Sequence, residues 1–101
     1  MKVKAVAANE VVSVKLLIQH PMETGRRKDQ GGNVVPAHFI TEVTASHKGV
    51  AVFHAEFGPG VSRDPYLAFE FTGAKAGDTL TISWVDNKGS SEKSDFPIVA
   101  M

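Results

Sequence analysis

The chain has 101 residues, 43% hydrophobic and 22% charged, which suits one soluble domain with a single core and excludes a disordered chain. Eleven Lys and Arg balance eleven Asp and Glu, so no net charge draws the chain toward nucleic acid or anionic membranes. With no cysteine, disulfides, thiolate metal sites and cysteine nucleophiles are all excluded.

Period-2 alternation dominates from the start. A short strand is expected around Val3 to Ala7, then Val12, Val14, Leu16 and Ile18 alternate with Ser13, Lys15 and Leu17. Phe39, Thr41, Val43 and Ala45 begin a third strand. Ala51, Phe53, Ala55 and Phe57 mark a fourth, and Leu67, Phe69 and Phe71 a fifth. Leu80, Ile82 and Trp84 mark a sixth, and Glu92 to Val99 forms a last one, in which Pro97 implies an edge or a bulge. His47-Lys48-Gly49 and Asp86-Asn87-Lys88-Gly89 read as hairpin tips, with Gly free to take positive φ. Seven strands in a single domain over residues 1–101, with no helical period, predict an all-β immunoglobulin-like (fibronectin-like) antiparallel sandwich. The expected inward set is Phe39, Phe53, Phe57, Phe69, Phe71, Leu80, Ile82 and Trp84. Leu17, Ile40, Val50, Val52, Tyr66 and Val85 are placed outward, an apolar excess that would mark a protein interface if contiguous.

Two connections are out of proportion. Gln19 to Val35 is a 17-residue loop without strand or helix pattern, and Gly58 to Pro65 is a second atypical loop. Loops of that length in compact domains usually carry function. The first holds Arg26-Arg27-Lys28, reduced to a net +1 by the flanking Glu23 and Asp29. Residues 1–50 carry seven basic and four acidic side chains and residues 51–101 the reverse, four and seven. Because the halves of a sandwich interleave, this asymmetry does not by itself imply a surface dipole.

No catalytic constellation emerges. There is no Gly-x-Ser-x-Gly elbow and no helix to mount one, and Glu56 and Glu70 read as solvated surface. Gly31-Gly32 lacks the Lys-Ser/Thr of a phosphate loop. His20, His38, His47 and His54 form no His-x-His or His-x-x-x-His pair, so surface or capping roles are expected rather than a metal site. No cofactor is expected. No early apolar run is long enough for a signal-peptide core, so the chain read alone is expected in the cytoplasm.

The string His20-Pro21-Met22-Glu23-Thr24-Gly25-Arg26-Arg27-Lys28-Asp29, then Pro36-Ala37-His38-Phe39-Ile40, resembles the signature of the SoxZ family. So do Pro65-Tyr66-Leu67-Ala68-Phe69 and Trp84-Val85-Asp86-Asn87-Lys88-Gly89, and the likeness runs from about Val3 to Val99. The resemblance implies an immunoglobulin-like, non-catalytic scaffold that pairs with a cysteine-bearing SoxY carrier in a heterodimer. It implies that the chain helps present the loaded carrier to SoxAX, SoxB and SoxCD during thiosulfate oxidation. It also implies a periplasmic location, reached by export with a signal-bearing partner. A cysteine-free scaffold would keep a second thiolate from stripping the carried sulfur by exchange. Contacts are expected from the two atypical loops: His20, Met22, Glu23, Arg26, Arg27 and Lys28 in the first, Arg63, Asp64 and Tyr66 around the second. Competing readings are a stand-alone sandwich binding module and a small histidine-site metalloprotein.

Overall fold

Along the second strand Val12, Val14 and Leu16 are buried and Ser13 and Lys15 exposed, the alternation that the pleat imposes on a half-buried strand. The computed structural model describes all 101 residues and resolves seven such strands. They are β1 (Lys2–Ala8), β2 (Val11–Leu17), β3 (Ile40–His47), β4 (Val50–Glu56), β5 (Tyr66–Thr72), β6 (Thr79–Asp86) and β7 (Ser91–Ala100). Their order is β4-β3-β6-β7-β1-β2-β5. The layers of the all-β sandwich are β1-β2-β5 and β4-β3-β6-β7. They are joined along one side where β7 runs parallel to β1, from Ala5↔Ile98 to Ala7↔Ala100. Along the other side β4 and β5 approach through side chains, with Phe53 stacked on Phe69 at 4.2 Å. Pro97 sits where β7 changes from an edge strand to an inner one. The Ile98 N–H turns to Asp78 on the β6 side, so proline's missing donor falls on the β1 side, just before that pairing begins.

The core is more aliphatic than the alternation suggests. Val12, Val14, Leu16, Ile18, Ile40 and Val43 are fully buried together with Leu80, Ile82 and Ile98, and Phe71 lies among them. Phe39, Phe53, Phe57, Phe69 and Trp84 are half-buried and pack against this cluster from its rim. Two bulges correct the outward set. A register shift between Ile40 and Glu42 turns Ile40 inward, where it has no exposed surface. A second shift leaves Val52 unpaired opposite the Ala45–Ser46 step, so Val52 packs on the core beside Phe53. Val50, Tyr66 and Val85 are exposed as expected, but they lie on β4, β5 and β6, on different parts of the surface.

The long connection between β2 and β3 is not patternless. It folds back on itself as an irregular two-stranded arm, bridged at Glu23↔His38 and again at Lys28↔Val34. Asp29 builds the tip: its Oδ1 accepts from the N–H groups of Gly31 (2.9 Å) and Asn33 (3.0 Å). Near the base, Gly25 takes φ 85° and lies so close to Ala37 that an added Cβ would stand 3.2 Å from the Ala37 Cβ. The radius of gyration, 15.7 Å, exceeds the roughly 13 Å of a compact 100-residue domain. The long axis of 53 Å exceeds the roughly 33 Å that the ten-residue β7 spans.

Candidate functional site

The foot of the arm is the most organised polar cluster in the molecule. β2 delivers His20 just beyond its end, β3 follows His38, and β6 ends in Asp86. Since β6 pairs with β3, His38 meets Asp86, and the Glu23↔His38 bridge at the base of the arm brings His20 to them. The Nε2 atoms of His20 (3.0 Å) and His38 (2.8 Å) both lie on Asp86 Oδ2. Asp86 Oδ1 accepts from the backbone N–H groups of Lys88 (3.0 Å) and Ser90 (2.9 Å), which closes the β6–β7 turn. Asp86 and His20 are buried; His38 is half-buried. The two imidazoles sit edge to face at 4.5 Å, and the Trp84 ring packs edge-on to His20 at 5.3 Å. Burial is the largest influence on Asp86 and disfavours its charge. The hydrogen bonds from His20, His38, Ser90 and Lys88 together outweigh it and hold the carboxyl at about 2.

The hydrogen bonds decide what the cluster does. The Met22 N–H donates to His20 Nδ1 (3.2 Å), so that nitrogen is the acceptor and the ring proton sits on Nε2, directed at Asp86. A metal-bound imidazole needs the reverse, a free lone pair on Nε2 and a proton on the other nitrogen to donate outward. That proton would face the Met22 N–H. His20 is therefore built as a hydrogen-bond donor, although His20, His38 and Asp86 lie within ligand distance of one another. A second such group, Glu42, His54 and Glu56, is fully exposed on β3 and β4, and His54 Nδ1 there meets the Thr44 hydroxyl (2.9 Å).

Both atypical loops converge on His20. Its N–H donates to Asp64 Oδ1 (2.9 Å), and its carbonyl accepts from the Asp64 N–H (3.0 Å). Asn87 locks the other side of the foot, donating to the Ala37 carbonyl (2.9 Å) and accepting from the Phe39 N–H (2.8 Å). The Met22 sulfur points into the core and accepts the Ile40 N–H at 3.4 Å.

The expected contact residues fall into buried, internally bonded and exposed groups. His20 and Met22 are 4% and 5% exposed, and both side chains anchor the arm. The surface or capping role expected of the histidines therefore fails for His20. Glu23 and Arg27 hold each other, with Nη2–Oε1 at 2.7 Å and Nε within reach of both carboxylate oxygens. Asp64 braces His20, with Arg63 loosely beside it at 3.8 Å. Arg26, Lys28, Arg63 and Tyr66 remain exposed, the first two on the arm and the others around the second loop.

The sequence reading missed Asp86, Asn87 and His38 as site residues. The available signal was positional: His20 and His38 flank the same long loop at the ends of two strands, and Asp86 ends a third.

A protein-family model described as sulphur oxidation protein SoxZ matches residues 1–97. The chain belongs to the SoxZ family. No curated protein matches it. The match spans β1 to β6, the arm, the clamped foot and most of β7. Membership makes the chain a component of the Sox sulfur-oxidation system.

Proposed function

We propose that this chain is the scaffold subunit of a sulfur-carrier heterodimer, non-catalytic itself, that binds a cysteine-bearing SoxY partner and presents it to the Sox enzymes. The observation that carries the reading is the family match over residues 1–97. The arm supports it. The arm is pinned at its foot by buried groups, and Arg26 and Lys28 stand exposed on it without a carboxylate partner. Such an element suits recognition of an acidic partner surface or of an anionic sulfur adduct. The polar groups of the foot are consumed in holding the arm, which fits a scaffold better than a catalyst. Activity in the periplasm, by export with a signal-bearing partner, belongs to the same proposal.

Native mass spectrometry of the chain mixed with a SoxY carrier from the same source tests the reading. The expected result is a 1:1 heterodimer, with any sulfur adduct mass on the carrier alone, weakened by Arg26→Glu/Lys28→Glu. Absence of a complex, or an adduct on this chain, would overturn it.

A further inference from the structure

The strand register sorts charge onto opposite outer faces of the sandwich. On β1-β2-β5 the outward rows are Lys2–Leu17–Tyr66, Lys4–Lys15–Ala68 and Val6–Ser13–Glu70. Three lysines thus share one open face with a single carboxylate, Glu70, and all three are exposed. On the opposite sheet the outward charges are Glu42, Glu56 and Asp95 against Lys93. The charge difference between the two halves of the sequence therefore does become a surface dipole, because β1 and β2 lie side by side in one layer.

Lys4 and Lys15 are direct cross-strand partners. Like charges so placed repel and destabilise a sheet. None of the three lysines has an ion-pair partner; the ion pairs of the chain use the N-terminus, Arg27, Arg63 and histidines. The rest of the face is apolar or small. Tyr66 is 60% exposed at its basic end, and Val99 (46%) stands beside Val6 at the other. Unpaired like charges gathered on one face are complementary to a partner surface that carries the opposite charge.

We infer that the outer face of β1-β2-β5 is a docking surface for a carboxylate-bearing protein surface, with Lys2, Lys4 and Lys15 as its charged contacts. The occupant is the carrier subunit, so the inference rests on the function proposed above. Charge complementarity favours a protein over a polyanion. Because the whole chain is neutral, it has no general electrostatic attraction for nucleic acid or anionic membranes beyond this one face.

Lys4→Glu separates this role from a structural one. It converts the repelling Lys4–Lys15 pair into an attractive one, so the folded chain should resist urea at least as well as the wild type. Association with the carrier, followed by stopped flow, should nevertheless slow roughly tenfold at low salt, and further for Lys2→Glu/Lys4→Glu, with the difference shrinking at high salt. Unchanged association beside a wild-type complex that forms normally would overturn the inference and leave the scaffold reading standing. Failure of the wild type to bind the carrier would overturn both. Lysine-dependent self-association of the chain alone in sedimentation, or lysine-dependent binding to phosphatidylglycerol vesicles, would also overturn it, by assigning the face to a second copy or to a lipid surface.

Discussion

Replacing Asp86 by Asn tests whether the arm is held by the buried carboxylate. The carboxylate accepts four hydrogen bonds, two from imidazoles and two from backbone N–H groups. An amide that keeps its oxygen on the Lys88 and Ser90 N–H groups turns its NH2 toward both histidines. His38 is able to adapt, because its Nδ1 has no other hydrogen-bond partner and the ring can move its proton there. His20 is not, because Nδ1 already accepts from Met22. A buried Nε2–H is left facing a donor. The loss of one charge-assisted bond, worth roughly 1.5–3 kcal/mol, adds to an unsatisfied buried donor at roughly 1–3 kcal/mol. Asp86→Asn should therefore destabilise the chain by about 3 kcal/mol at pH 7, a fall of about 12–24 °C in Tm for a domain of this size.

The pH dependence gives an independent check. The folded pKa of Asp86 is depressed to about 2 from an ordinary 3.8. Its contribution is thus complete above the unfolded value and is lost as pH falls from about 4 through 2, amounting to about 2 kcal/mol. The stability gap between wild type and Asp86→Asn, from urea titrations at several pH values, should be widest near neutrality and narrow toward pH 2. A gap below 1 kcal/mol at pH 7, or one that does not change with pH, would refute the account of the foot.

Two further substitutions probe the same architecture. Met22→Ala removes a buried side chain and should cost about 3 kcal/mol in urea denaturation of the isolated chain, whereas a partner contact would affect binding alone. At the far end of the sandwich, the Asp78 carboxyl lies below its ordinary value, first because of the His47 hydrogen bond (2.9 Å) and then because of the Lys75 N–H. Carboxyl NMR titration should show Asp78 moving up toward the ordinary value in His47→Ala. Because a depressed carboxylate stabilises above its unfolded pKa and loses that effect as pH falls, the variant should also lose less stability in acid.

The strands were legible because alternation is a local property. β2, β5 and β6 follow their apolar spacing almost residue for residue, and Gly49 and Gly89, at φ 79° and 82°, close the hairpins expected of them. The aliphatic bias of the core was less visible, since a bulge changes the phase of a strand without a mark in its composition; Ile40 is the clear case. The arm escaped for a related reason. Its two bridges involve too few residues to set up an alternation, and its tip is fixed by one Asp side chain. The foot was illegible in a different way. His20, His38 and Asp86 are separated by 18 and 48 residues; the pairing of β6 with β3 brings His38 to Asp86, and the fold-back of the arm at Glu23↔His38 brings His20 to both. Motif spacing reports on chemistry carried by one element, whereas this cluster is carried by three.

That division explains why the recognition string is dense in buried and internally bonded residues. Ordering a free 17-residue loop on docking would cost on the order of 20 kcal/mol in backbone entropy. Here much of that cost is met during folding. His20, Met22 and Asp86 fix the base, Asn87 and Asp64 brace it from either side, and Asp29 shapes the tip. On the proposed function, the exposed Arg26 and Lys28 meet a partner from an arm that is already in place, so their contacts are not spent on ordering it. The His-Pro-Met-Glu-Thr-Gly segment is therefore chiefly a mounting, and the basic residues after it are what it mounts.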